Sequence, residues 1–188
     1  NSSNMQEPKL VALGFPPDAV IKKHVEYATS LTQAGVHWRV MSDDELPRVQ
    51  EFVKAHVEGE PTVETTRGAI LAFDATDELI AAQVIGAVQF DGLLSLSLDH
   101  LAVDEGWRGR GLGFVTLQLG DRVPMPSKPV CQFGNIARDQ ARFFQRAGFT
   151  VFQPGEALQL PGAPVALSSS SEPYPCMMYR TWSLADHQ

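Results

Sequence analysis

Residues Trp107–Phe114 read WRGRGLGF, three glycines and two arginines in eight positions, set between the apolar run DHLAV (Asp99–Val103) and the helical pattern VTLQL (Val115–Leu119). A strand that opens into a helix through glycines leaves backbone N–H groups unpaired and pointing into one hollow, and the helix dipole adds partial positive charge there. Gly109, Gly111 and Gly113 let the main chain approach a bulky anion without Cβ clashes, and Arg108 and Arg110 supply charge-assisted contacts. A diphosphate suits such a hollow better than a single phosphate. A nucleotide P-loop would end in Gly-Lys-Ser/Thr, and no lysine stands there. A dinucleotide fingerprint would have Gly-x-Gly-x-x-Gly early in a βαβ unit, whereas this Gly-x-Gly-x-Gly lies past the middle of the chain.

Upstream, Ala69–Phe73, Leu79–Phe90 and Leu93–Val103 are apolar runs separated by ATDE and DG, the second a hairpin signal, and they predict an antiparallel meander. Within the last run the apolar parity changes: Leu94, Leu96 and Leu98 are even, Leu101 and Val103 odd. Side chains alternate with period two, so a β-bulge at Asp99 and His100 is needed to keep both sets on one face. Further back, Asp18–Ala34 has apolar residues Ile21, Val25 and Ala28 at helical spacing, with Val20 and Leu31 beside them and Gly35 as the stop. Val36–Met41 reads as a short strand, Ser42 and Glu45 have capping-box spacing for a helix to about His56, and Gly59–Arg67 reads as loop.

Downstream, the glycines lead into a helix apolar on much of its surface, ending near Gly120. Pro129–Phe133 predicts a strand, Asn135–Gly148 a helix with Asn135 as N-cap, Phe149–Phe152 a strand, Pro154–Pro175 a long loop, and Met177–Ser183 a last strand whose exposed edge would suit a homodimer.

At 188 residues the chain fits one domain with appendages. The expected division is a vector-derived remnant at residues 1–4 with Met5 as the native start, a helical segment over 5–35, and the main domain over 36–188 with 154–175 inserted as a loop. Hydrophobic residues make up 44% and charged residues 20%, and no apolar run reaches the roughly 20 residues of a membrane span. A net charge of −7 disfavours nucleic acid as a partner and favours a cationic small molecule. Cys131 and Cys176 are too few for a disulfide framework; one bridge between them stays open, and a reducing cytoplasm is the simpler reading.

LAVDEGWRGRGLG, with Arg108-x-x-Gly111-x-Gly113, resembles the acyl-CoA pyrophosphate loop of the GNAT superfamily of acetyltransferases. NIARDQARFFQRAGF is similar to that family's second signature, an asparagine, a helix, then Gly-Phe entering a strand. The resemblance runs from about Val36 to Ser183. It implies an α/β (α+β) fold: a mixed, mostly antiparallel sheet with a β-bulge in the central strand and helices on both faces.

It further implies that acetyl-CoA is the co-substrate, with no metal, and that a small molecule or peptide supplies an amine acceptor. Leu101, Ala102 and Val103 would pair with the pantetheine arm. Backbone amides of Arg108, Gly109, Arg110, Gly111, Leu112, Gly113 and Phe114 would hold the pyrophosphate, and Asn135, Arg142 and Phe144 would complete the cofactor site. Arg138, Arg142 and Arg146 fall on one helical stripe that either reaches the nucleotide's phosphate or is simply a solvated face. The Leu101 N–H would stabilise the oxyanion, and Asp99 or His100 would serve as base, two candidates between which nothing in the sequence decides. Many relatives have a tyrosine four residues before the glycine of Gly-Phe, and this chain has Phe144 there. Tyr174, Tyr179, Cys131 or water is left to protonate the departing thiolate. The alternative is a degenerate acyl-CoA-binding regulator. In this frame Gly111→Glu is expected to block the hollow without unfolding the domain.

Overall fold

The computed structural model describes residues 16–57 and 68–182; the readings made for residues 1–5 and for 59–67 lie outside them. The elements in chain order are α1 (Asp18–Gln33), β1 (His37–Val40), α2 (Leu46–His56), β2 (Gly68–Phe73), β3 (Leu79–Phe90), β4 (Leu93–Val103), α3 (Leu112–Gln118), β5 (Cys131–Ile136), α4 (Ala141–Arg146), β6 (Thr150–Val151), β7 (Ala157–Leu158), β8 (Leu167–Ser168) and β9 (Cys176–Arg180). The main sheet has the order β1-β2-β3-β4-β5-β9-β6, antiparallel throughout except for the parallel pair β4 and β5.

Alternating side chains divide the core between two faces. On one, α1, α3 and α4 cover Ile70 and Ala72 of β2, Ile85 of β3, Leu96 and Leu98 of β4, Ile136 of β5 and Met178 of β9. On the other, α2 lays Val49 and Val53 on Leu71, Phe73, Val84 and Ala102, while Leu158, Leu160 and Leu167 cover Cys131 and Met177 further along. Helices therefore lie on both faces of a mixed, mostly antiparallel sheet, as expected. The helix after the glycines is buried almost all round, with Leu112 and every residue from Phe114 to Gln118 inside. Its C-terminal carbonyls are satisfied from the sheet: Gln83 Nε2 donates to Thr116 O at 2.8 Å and to Leu117 O at 3.2 Å.

Several expectations are corrected. The buried stripe of α1 runs through Val20 and Leu31 with Tyr27 and Ala28 beside it, and Val25 is exposed, because α1 lies against α3 on the face that starts at Val20. Asn135 is no N-cap. It is in β5 opposite Met177, and the helical stretch begins later, as a 3-10 turn at Arg138–Gln140 followed by α4. Sheet pairing with β9 claims the backbone that a cap would have used. The last strand is not an edge, since β9 lies between β5 and β6, so the argument for a dimer through it falls. The 154–175 segment contains the small β7–β8 hairpin. Cys131 and Cys176 are free and lie at opposite ends of β5, one within it and one opposite Ile136.

Leu117, fully buried at the centre of the α3 layer, is the most direct test of this packing. Leu117→Ala should cost about 2–5 kcal/mol, read as a lower urea midpoint with an unchanged slope.

Candidate functional site

The meander delivers the site by the register shift between β3 and β4. Ile85 faces Leu98 and Val84 faces His100, which leaves Asp99 as the extra residue of β4. Leu96 and Leu98 before it and Leu101 and Val103 after it then all face the α3 layer. Ser97 faces the opposite, α2 side, and its Oγ donates to Asp99 Oδ1 at 3.0 Å. Gly86 on β3 makes room: a Cβ there would stand 2.5 Å from Ser97 Oγ and 2.9 Å from Asp99 Oδ2. Asp99 is exposed as a residue, yet its carboxyl end is pressed against β3. This desolvation raises its pKa above the usual carboxylate range, against the opposing pull of the Ser97 hydroxyl and of His100.

Beyond the bulge the sheet opens. β5 pairs with β4 from Ser95↔Cys131 to Leu98↔Gly134 and no further, although β4 continues to Val103 and β5 to Ile136. Among the described residues the main chain of Leu101–Val103 is therefore paired on one side only, with β3, and a slot lies between it and the end of β5. By parity with Cys131 and Phe133, Asn135 is on the α2 side of this slot, and it is exposed.

The slot leads to the glycine segment. Asp104 Oδ1 accepts from Gly106 N at 2.9 Å, Trp107 N donates to Asp104 O at 3.0 Å, and Arg108 N to Glu105 O at 3.3 Å, so residues up to Arg108 are folded on themselves. From there the donors are released. Among the described residues nothing accepts from the N–H of Gly109, Arg110 or Gly111, and Leu112–Phe114 precede the first helical bond, Val115 N to Gly111 O at 3.0 Å. Gly109 at φ +78° has nothing within 4 Å of a built Cβ, and Gly113 would bring one to 3.3 Å from Val103 Cγ2. The cradle therefore fits an anion approached by main chain. Arg110 lies over the Trp107 ring at 4.7 Å, and Arg108 and Arg110 are both exposed.

Other expected members are elsewhere. Phe144 is buried in the core, edge-on to Phe143 and Phe149 with centroids 5.1 and 5.5 Å away, and presents no surface to a ligand. The arginine stripe is split, because Arg138 belongs to the 3-10 turn and pairs with Glu172 at 3.1 Å, while Arg142 and Arg146 are exposed on α4. Cys131 is buried against Ser95 Oγ at 3.2 Å, four residues along β4 from the bulge, and burial raises its thiol pKa. Tyr179 is stacked on Phe152 under the β7–β8 hairpin. Among the described residues no group of three or more His, Cys, Asp or Glu side chains converges as a metal site.

Sequence reasoning overlooked Gly86, Ser97 and Tyr27. A glycine inside a strand pattern was a usable sign of close approach. Tyr27, whose ring covers Gly111, has no local sign at all.

No protein-family model and no curated protein matches the chain. Solved structures do. Escherichia coli YhbS, a GNAT family N-acetyltransferase in complex with CoA, superposes with a TM-score of 0.57 at 16% identity, over 79% of this chain and 82% of that one. The fold is that of the GNAT acetyltransferases. Arabidopsis thaliana Naa50, in complex with the bisubstrate analogue CoA-Ac-MVNAL, gives 0.53 at 16% over 78% and 99%. A fungal multi-domain GH3 beta-N-acetylglucosaminidase with a GCN5-related glucosamine N-acetyltransferase region gives 0.54 at 14% over 63%, and there the chain spans only 17% of the other protein's length. In this fold the bulge, the β4–β5 slot and the glycine segment follow one another along the chain, and α1, ahead of β1, forms a wall against α3.

That wall changes what Gly111→Glu would do. Gly111 is left-handed at φ +82°, and a Cβ would lie 2.3 Å from Tyr27 Cγ, so the substitution is expected to displace α1 and lower Tm rather than spare the fold. Gly109→Glu is the cleaner variant. It should remain folded at a cost of about 1–2 kcal/mol for its left-handed backbone, and circular dichroism melts of the two variants check the contrast.

Proposed function

We propose that the chain is an acyl-CoA-dependent N-acyltransferase that moves an acetyl group from acetyl-CoA to an amine by direct transfer in a ternary complex. The observation that carries this reading is continuity: among the described residues, main chain at Leu101–Val103 that is paired with β3 on one side and with no strand on the other leads to N–H groups at Gly109–Phe114 that have no internal partner. One extended molecule with an amide-bearing arm and a diphosphate would use both. Leu101, Ala102 and Val103 would hold the arm from the β4 side and Asn135 from the β5 side. The amides of Gly109–Phe114 would hold the diphosphate with Arg108 and Arg110 nearby, and Arg142 would face the nucleotide end. The neighbours bound to CoA or to a CoA–peptide conjugate support the co-substrate and an amine acceptor, small molecule or peptide.

In the reaction the amine nitrogen takes the acetyl group while the thiol departs. The Leu101 N–H would stabilise the charge that develops on the carbonyl oxygen. Asp99 is the better placed base. Its carboxylate is held by Ser97 where the slot begins, next to the last β4–β5 pair, and its raised pKa makes it a stronger acceptor of the amine's proton than an ordinary carboxylate. His100 follows it on the same strand as the other candidate. A thiol with an ordinary pKa of about 8.5 leaves tolerably without an acid, which is consistent with Phe144 being buried. That same burial is the observation favouring the second reading, a cofactor-binding regulator without turnover.

Thiol release against pooled amines separates the two. Acceptor-dependent release is expected; acetyl-CoA binding without it would favour the regulator. Asp99→Asn should lower kcat about tenfold or more with acetyl-CoA affinity retained, and His100→Ala should leave more activity than Asp99→Asn; the reverse order would move the base to His100.

The stability sign is fixed by the direction of the shift. A carboxyl whose folded pKa is raised contributes stability below its unfolded pKa, and that contribution is lost as pH rises through the folded value. Asp99→Asn should therefore melt higher than the parent at pH 7, with the gain fading below the usual carboxylate pKa of about 3.9.

A further inference from the structure

At the other end of the sheet, where β5 begins and β9 ends, lies a cavity of about 480 Å³ that the acyl-transfer reading does not use. Leu96, Val123, Met125 and Trp182 form much of its wall. Arg180 also lines it, although only 6% exposed. Its guanidinium is held between the rings of Phe149 and Trp182, 4.5 and 4.4 Å from their centroids. One terminal nitrogen donates to Gln118 Oε1; the other donates to Gln132 Oε1 at 2.9 Å and to Leu117 O at 3.3 Å. Gln132 in turn donates to Gln83 Oε1 at 2.8 Å. Every acceptor is thus a neutral oxygen, and Arg180 Nε is buried with no partner.

A buried cation without a counter-charge is costly. Burial lowers the pKa of Arg180 to about 9, which still leaves it charged at neutral pH. No carboxylate among the described residues lies within ion-pair distance of it, and Asp121, on the cavity wall, acts on it only at longer range. Arg122 adds a second cation to the lining. The volume is within the range of about 300–1,000 Å³ typical of small-molecule sites. Charge and shape together specify an occupant with one anionic group and an apolar body.

We propose that this cavity is a second binding site, for a small organic carboxylate whose anionic group neutralises Arg180 and whose apolar part lies against Leu96, Val123 and Met125. The proposal is independent of acyl transfer, since it rests on Arg180 and the cavity and not on the slot or the glycine segment.

The test is a titration of the full chain followed by ¹H–¹⁵N correlation spectra, observing the Trp182 indole N–H and the Arg180 Nε–H. Benzoate and octanoate are the probes, benzamide is the uncharged control, and inorganic phosphate tests for a bare anion site. Saturable shifts of both signals with the carboxylates and none with benzamide are expected. Arg180→Gln should weaken carboxylate binding about tenfold or more, the scale of a lost charge-assisted contact. Because that variant also breaks the buried network, Arg122→Glu, at an exposed position of the lining, gives the same test with the core intact and should weaken binding in the same direction. Equal shifts with benzamide, phosphate binding as tightly as benzoate, carboxylate affinity unchanged in Arg122→Glu, or no shift of either signal with any carboxylate would each overturn the proposal.

Discussion

One residue more on β4 than on β3 is the constraint from which the rest of the site follows. With Asp99 inserted between the Ile85–Leu98 and Val84–His100 pairs, the strand changes parity without turning its apolar side chains to solvent. The consequences are local and mechanical. Leu101 and Val103 stay in the α3 layer, Asp99 joins Ser97 on the α2 side, and β4 carries on paired with β3 alone after β5 stops pairing at Gly134. The glycine segment then follows the end of this half-paired strand, after the turn at Glu105–Trp107. A regular β4 would place Leu101 and Val103 on the opposite face, so core packing and site geometry are enforced by the same inserted residue.

Much of this was legible because it was local. The change from even to odd leucine positions announced the bulge, DG announced the hairpin before it, and the Ser42–Glu45 spacing announced the helical stretch to His56, where Ser42 N donates to Glu45 Oε1 at 3.1 Å and so caps a 3-10 turn at Asp43–Glu45 that leads into α2. What failed depended on partners far along the chain. Asn135 has the composition of a cap, but its backbone is taken by Met177 of β9. Arg138 has helical spacing to Arg142, yet it is drawn to Glu172 in the inserted loop. Gly111 was read as space for an anion, and Tyr27, from a helix before the first strand, occupies the side where its Cβ would stand. Period and punctuation can be read from neighbours in sequence, whereas pairing across the sheet and between helices cannot.

The α3 layer shows how the two ends of the molecule are built for different purposes. At the helix start, backbone donors are left without internal partners; at its end, Gln83 and Arg180 take the carbonyls of Thr116 and Leu117. Seven residues of almost wholly buried helix join the two. The solved structures that share the fold do so at 16% identity or less among those compared, which fixes the scaffold, while chemistry has to be argued from Asp99, the slot and the glycine segment themselves.

The measurement that bears most directly on the central claim is the backbone amide spectrum of Gly109–Phe114 during titration with CoA and, separately, with pantetheine, which has the same arm and no phosphate. If main-chain donors of this segment hold the diphosphate, their amide signals move with CoA and stay in place with pantetheine, which shifts only the β4 residues. Amides of Gly109–Phe114 that are unmoved by saturating CoA, or moved equally by pantetheine, would contradict it.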